Sequence, residues 1–207
     1  MTCTKNLYNV SRPVPKIEKI FFTIFLIILI PVYWSNYGIE NFLWISDIAL
    51  FLTYAALMFE NRLLISIPTL GVLPVESFWI FEFLMQLITG RNFTNLAGYM
   101  FEDKYSLTLK LLSLFHIIMP IIWIKYLVKW GYDKRAIIYM TLITWSLAIF
   151  TYVFTDPKLN INWVFSPKIH NWQFISTQMW LVLLMLGIPL LIFIPLHFFL
   201  KKFFAKA

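Results

Sequence analysis

The sequence predicts an all-α fold: a polytopic transmembrane helical bundle of about six spans with both termini cytoplasmic. Three observations lead there. The chain is 60% hydrophobic and 19% aromatic with only 13% charged residues, where soluble domains carry roughly 25% charge. Apolar runs long enough to cross a hydrocarbon core of roughly 30 Å recur between short polar connections. Of the 17 Lys and Arg residues, twelve fall on one side of the alternating spans and four on the other, the bias that marks a cytoplasmic side.

Residues 1–19 are polar, with Pro13 and Pro15, and read as a cytoplasmic N-terminal segment without a cleavable signal peptide. Span 1, about Ile20 to Tyr37, holds Pro31 and ends in the aromatic belt residues Tyr33, Trp34 and Tyr37. After a turn at Gly38–Asn41, span 2 covers about Phe42 to Phe59 and contains Asp47. Glu60, Asn61 and Arg62 turn the chain into span 3, about Leu63 to Gly90. At 1.5 Å rise per residue that run would be some ~40 Å long, more than the core needs. A break between Pro68 and Pro74 is therefore expected, because proline lacks an N–H and clashes with the carbonyl four residues back. A polar loop, Arg91 to Tyr105, leads to span 4, about Ser106 to Val128, with His116 and Pro120. Asp133 is expected to cap span 5, Ala136 to Phe154. The loop Thr155 to Phe174 precedes span 6, about Ile175 to Leu200, and residues 201–207 form a basic cytoplasmic tail. Residues 20–200 thus make a single bundle domain.

The net charge of +7 sits between the apolar runs, which points to anionic lipid and to topology rather than to nucleic acid. The bilayer is the expected partner, and a bacterial inner membrane the expected location. The single cysteine, Cys3, excludes an internal disulfide or a cysteine metal cluster. No P-loop, dinucleotide fingerprint or haem motif is present.

Asp47, Glu76, Glu82 and His116 fall inside the apolar runs. A carboxylate at the bilayer centre costs roughly 2.5–3.5 kcal/mol on insertion scales, so it faces protein, water or a partner. Counting depth along alternating spans brings Asp47, Glu82, Ser113 and His116 into the outer half, with Glu76 nearer mid-depth. Asn41 lies at the outer interface, and Asn160, Asn162 and Trp163 lie in the outer loops as candidate substrate-binding residues. The arrangement predicts a cavity open to the non-cytoplasmic side. His116 beside Asp47, Glu82 or Glu76 could serve as a general base oriented by an acid. The same four side chains could instead bind a divalent metal, relay protons, or form a purely structural clasp. Depth favours Asp47 and Glu82 over Glu76 as the histidine's partner. His197 reads as interfacial and His170 as a surface residue; Ser46 and Thr53 could be nucleophiles, but such hydroxyls often bond back to their own helix.

Asn41-Phe-Leu-Trp-Ile-Ser-Asp47, Gly98-Tyr-Met-Phe101, Ser113-Leu-Phe-His116 with Pro120, Gly131-Tyr-Asp133 and Asn160-Ile-Asn-Trp-Val-Phe165 resemble an uncharacterised family of bacterial polytopic, about six-span, integral membrane proteins. The resemblance covers most of the chain from Asn41 to His197 and implies no activity. A much weaker likeness is to the androgen-induced membrane hydrolases of fatty-acid esters of hydroxy fatty acids. It implies a Thr nucleophile on an early span and a His on a later one, for which Thr53 and His116 are the nearest positions.

Three functions remain open. The first is a small membrane enzyme acting on a lipid or another apolar small molecule. The second is a proton-coupled transporter or channel-like protein, against which stand the few spans and the absence of a visible repeat. The third is a structural assembly protein without chemistry. The sequence names neither a cofactor nor a metal.

Overall fold

The computed structural model describes residues 13–167 and 174–204, and every regular element among them is helical. In chain order these are α1 (Lys16–Tyr37), α2 (Ile45–Phe59), α3 (Arg62–Gly71), α4 (Leu73–Thr89), α5 (Leu107–Ser113), α6 (Phe115–Trp130), α7 (Ala136–Phe154), α8 (Thr177–Ile188) and α9 (Ile194–Phe204). Short 3-10 turns occupy Ile39–Leu43, Gly98–Phe101 and Ile161–Trp163, and a π-helical turn, Pro189–Phe193, joins α8 to α9. The expected all-α architecture holds. His170 lies outside the described residues.

Among the described residues four helical stretches are long and apolar enough to cross a membrane: α1, α5 with α6, α7, and α8 with α9; α3 and α4 make a fifth when they count as one bent span. The sixth expected span, α2, has only 15 residues, about 22 Å at helical rise. Its start explains the shortfall. Ile39–Leu43 coil into a 3-10 turn and Trp44 is extended (φ −62°, ψ 137°), so the helix begins at Ile45 rather than Phe42.

The bundle is built around α3. Ile65 through Gly71 are all buried, which a helix achieves only when neighbours cover its whole circumference. Those neighbours are α2, α6 and α7. Asn61 caps the helix, its Oδ1 accepting from the N–H groups of Leu63 and Leu64 at 2.9 and 3.2 Å. The polar residues of α3 spend their hydroxyls locally: Ser66 donates to the Arg62 carbonyl and Thr69 to that of Ile65. Gly71 permits the closest approach, since a Cβ there would sit 2.5 Å from Cγ of Met140 on α7.

Beyond Gly71 the helix breaks where expected. Val72 separates α3 from α4, and the two axes differ by 54°. Pro74 sits in the first turn of α4, where its missing N–H costs nothing. The bend redirects α4 against α6, and this redirection positions the site. A smaller irregularity at Leu114 (φ −66°, ψ −3°) divides α5 from α6 just ahead of His116.

The end of the bundle that carries Lys16, Lys19, Arg62, Lys125, Lys129 and Arg135 is closed by ion pairs. Glu60 meets Lys19 at 2.7 Å and accepts from the Val14 N–H at 3.3 Å. The Lys19 hydrogen bond holds the Glu60 carboxyl below its usual range. Glu18 pairs with Lys125 and accepts from the Tyr126 hydroxyl at 2.7 Å. Asp133 accepts two side-chain bonds from Arg135, at 3.1 and 2.8 Å, and a third from the Arg135 N–H at 3.0 Å. Arg135 precedes α7 and no side chain caps that helix, so the expected cap is not formed. Burial pushes the Asp133 carboxyl up, but the Arg135 bonds outweigh it and leave the group below its usual value. Tyr132 fastens α9, its N–H donating to the Phe204 carbonyl at 2.8 Å and its hydroxyl lying 2.9 Å from His197 Nδ1.

Candidate functional site

At the opposite end, the end of α1, the start of α2, Trp79 of α4, residues 95–105 and the start of α6 surround a cavity of about 430 Å³. Asp47 occupies the first turn of α2 and Glu76 the first turn of α4. His116 is the second residue of α6. Each is delivered by a local irregularity: the 3-10 turn before α2, the 54° bend before α4 and the break at Leu114 before α6.

Nδ1 of His116 lies 2.6 Å from Oε2 of Glu76, which is 1% exposed. The imidazole stacks on Trp79 at 4.7 Å and on Phe115 at 4.1 Å between ring centres. Its orientation is thus set by one hydrogen bond and two ring faces. Asp47 is 3% exposed and only Oδ2 has a partner, the Asn41 amide at 3.5 Å; Oδ1 has none. Oε1 of Glu76 is likewise buried without a hydrogen bond. Nearby, the Tyr33 hydroxyl donates to Ser113 Oγ at 2.9 Å, whose own proton goes to the Leu109 carbonyl at 2.9 Å.

A second, apolar cavity of about 140 Å³ adjoins the first. Its walls come from α7, α8 and the π-helical turn, including Met140, Thr144, Ile188 and Phe193. His116, Trp79, Trp44 and Trp163 line both cavities. His116 therefore stands on a wall between a polar chamber and an apolar one, and its partner Glu76 lines the apolar one.

The structure separates the expected residues into two groups. Asp47, Glu76, His116, Asn41 and Trp163 line one or both cavities. Glu82 does not. One turn and a half beyond Glu76 on α4, it is fully buried against the following loop and accepts from the N–H groups of Phe93, Thr94 and Leu96. The expectation that Asp47 and Glu82 were better partners for His116 than Glu76 is thus reversed. Depth counting ignores rotation, and the bend at Val72 turns Glu76 toward α6 and Glu82 toward the loop.

Asn160 and Asn162 are also spent on structure. Asn160 ties its own loop together, accepting from the Phe165 N–H at 3.0 Å and donating to the Ser166 carbonyl at 3.0 Å. Asn162 bridges to α2, accepting from the Ile45 N–H and donating to the Leu43 carbonyl at 2.8 and 2.7 Å. It borders the apolar cavity with both amide groups engaged. Thr53 lines neither cavity: its hydroxyl donates to the Ala49 carbonyl and accepts from Trp123 Nε1, both at 2.7 Å. The Thr53–His116 pair implied by the hydrolase likeness is therefore not assembled. Among the described residues no group of three or more His, Cys, Asp and Glu side chains could hold a metal ion, so Asp47, Glu76, Glu82 and His116 do not form a ligand set.

Sequence reasoning missed the walls. Tyr33 and Tyr37 looked like belt residues, yet both line the cavity, as do Trp79 and Glu102. The position of Tyr33 in the outer half of span 1, level with the polar cluster, was the available signal.

The apolar helices and the polar cavity among them define a helical membrane protein with an acid–histidine pair at the junction of two chambers. Compared with known protein families, curated proteins and solved structures, the chain matches none.

Proposed function

We propose that the protein is an integral enzyme of the bacterial inner membrane that acts on a lipid or another apolar small molecule, with His116 as general base and Glu76 as its orienting acid. In this reading the chain crosses the bilayer six times, with α2 as a short span and both termini in the cytoplasm. The ion-paired basic end then faces the cytoplasm and the cavity opens to the other side. The observation that carries the proposal is the 2.6 Å Glu76–His116 bond on the wall shared by a polar and an apolar cavity.

With Nδ1–H donated to Glu76, the lone pair of the Nε2 atom is left to accept a proton from a substrate or water. The carboxylate fixes that tautomer and stabilises the imidazolium that forms. A polar reacting centre would sit in the larger chamber and an apolar tail in the smaller one, the usual division in small-molecule sites.

The test is to express Glu76→Gln and His116→Ala in a bacterial membrane and compare the lipid profile with the parent by mass spectrometry. Loss of a general base removes roughly 10²–10⁴-fold of rate, so both variants should lose the change in lipid profile that the parent produces. Glu76→Gln keeps an oxygen that can accept from the imidazole, so its melting in detergent should shift little. A large fall in melting temperature with the lipid profile unaltered would make the pair a structural clasp. Orientation is tested separately by Lys158→Cys on a Cys3→Ala background. An impermeant maleimide should label it in intact cells, and labelling only after lysis would reverse the topology.

A further inference from the structure

The larger cavity is acidic and aromatic, and among the described residues no lysine or arginine lines it. Ring contacts run along its wall in series. Tyr33 meets Tyr37 at 5.3 Å, Tyr37 meets Tyr105 at 6.1 Å, and Tyr105 meets Tyr99 at 6.0 Å. Tyr99 then meets Trp79 at 6.4 Å. Trp44 and Trp163 add a further edge-to-face pair at 6.3 Å. At the rim Glu102 holds Lys104 at 2.7 Å, and that exposed ammonium already lies 4.8 Å from the centre of the Tyr105 ring.

The second observation is Asp47. It is 3% exposed, it lines the cavity, and its Oδ1 has no hydrogen-bond partner. A buried carboxylate oxygen left without a donor or counter-charge is costly. Aromatic faces attract cations, most strongly where water is excluded. An anionic head group would meet no counter-charge on these walls. A positively charged one would satisfy Asp47 and the ring faces together.

We propose that this cavity seats an organic cation, a protonated amine or a quaternary ammonium, carried as the head group of an amphiphile whose tail enters the adjoining apolar cavity. The inference names the substrate class of the enzyme site above and rests on that reading for its chemistry, although binding can be measured without turnover. Asp47 supplies the counter-charge, and Tyr99, Tyr105, Trp44 and Trp79 supply the ring faces. His116, on the shared wall, would then face the join between head and tail.

The experiment uses the full chain in uncharged maltoside micelles. Octyltrimethylammonium, octyl glucoside and octyl sulfate, which share one tail, are titrated while tryptophan fluorescence is read. Octyltrimethylammonium should bind with quenching and compete with choline. Asp47→Asn should weaken that binding at least tenfold, and Tyr105→Leu two- to fivefold. Octyl glucoside and octyl sulfate should bind more weakly and not respond to Asp47→Asn. Binding of octyl sulfate as tight as that of the ammonium would overturn the proposal. So would glucoside binding that depends on Asp47, which would mark a sugar site, or ammonium binding indifferent to Asp47→Asn. The two readings fail separately. Cation binding that survives in a His116→Ala protein still active on lipid removes only the catalytic role, and loss of turnover without cation selectivity removes only the head-group class.

Discussion

At the basic end of the bundle Glu18, Glu60 and Asp133 each meet a Lys or Arg side chain, whereas at the cavity end Asp47 and Glu76 each leave one buried oxygen unpartnered. Glu82 lies near that second group, yet its two oxygens accept three backbone N–H groups. Burial alone therefore does not separate the two groups of carboxylates in this protein. What separates them is whether the surrounding chain satisfies the charge. The paired acids tie the N-terminal segment and the α6–α7 loop to the bundle, and Glu82 shapes the loop after α4. The incompletely satisfied acids face a cavity, where a ligand can complete them.

That contrast can be broken, and Glu82 offers the largest effect. Glu82→Ala would strip the partner from three N–H groups that the loop holds turned inward. An orphaned buried polar group costs about 1–3 kcal/mol, so a loss of about 3 kcal/mol is expected, read as a lower melting temperature in detergent. Proteolysis within residues 91–97 should accelerate in parallel. A melting temperature within a degree of the parent would show that Glu82 does not organise this loop.

Asp133 comes next and adds a pH signature. Its carboxyl titrates below the ordinary value in the folded protein, because the Arg135 bonds outweigh the opposing effect of burial. Its contribution to stability is therefore complete above the unfolded value of about 4 and is lost as pH falls through the folded one. Asp133→Asn should cost about 1 kcal/mol near neutral pH, and the gap between variant and parent should close below about pH 4. A gap that persists unchanged in acid would assign the effect to packing rather than charge.

These tests also mark what was legible in the sequence. The all-α architecture and the longer apolar helices were, because hydrophobic length is a one-dimensional property: span 5 was expected at Ala136–Phe154 and α7 covers the same residues. The break before Pro74 was legible because a missing N–H is local chemistry. The start of α2 was not, since Asn162, more than a hundred residues away, is bonded to the Ile45 N–H and the Leu43 carbonyl at the junction. The choice among three carboxylates for His116 was also beyond reach. Depth follows from counting residues, but rotation about α4 depends on a 54° bend whose size no local motif encodes.

The smallest expected effect is the most discriminating. Asp47→Asn keeps the shape of the side chain and can keep the weak contact with Asn41, which is 3.5 Å long. It removes an acid that no Lys or Arg among the described residues pairs with, as the ion pairs lie elsewhere. Removing one member of a buried ion pair costs about 3–5 kcal/mol because the other charge is stranded. Here no partner exists to strand. The ligand-free protein should therefore melt at the parent temperature or slightly above it, opposite in sign to Asp133→Asn at neutral pH. A functional carboxylate that stabilises nothing on its own is what a site held ready for a cation requires, because stability is traded for an interaction made only on binding. A loss of about 2 kcal/mol or more in Asp47→Asn would place Asp47 with Glu82 and Asp133 as a structural acid. The contrast between the two ends would then fail at its central residue.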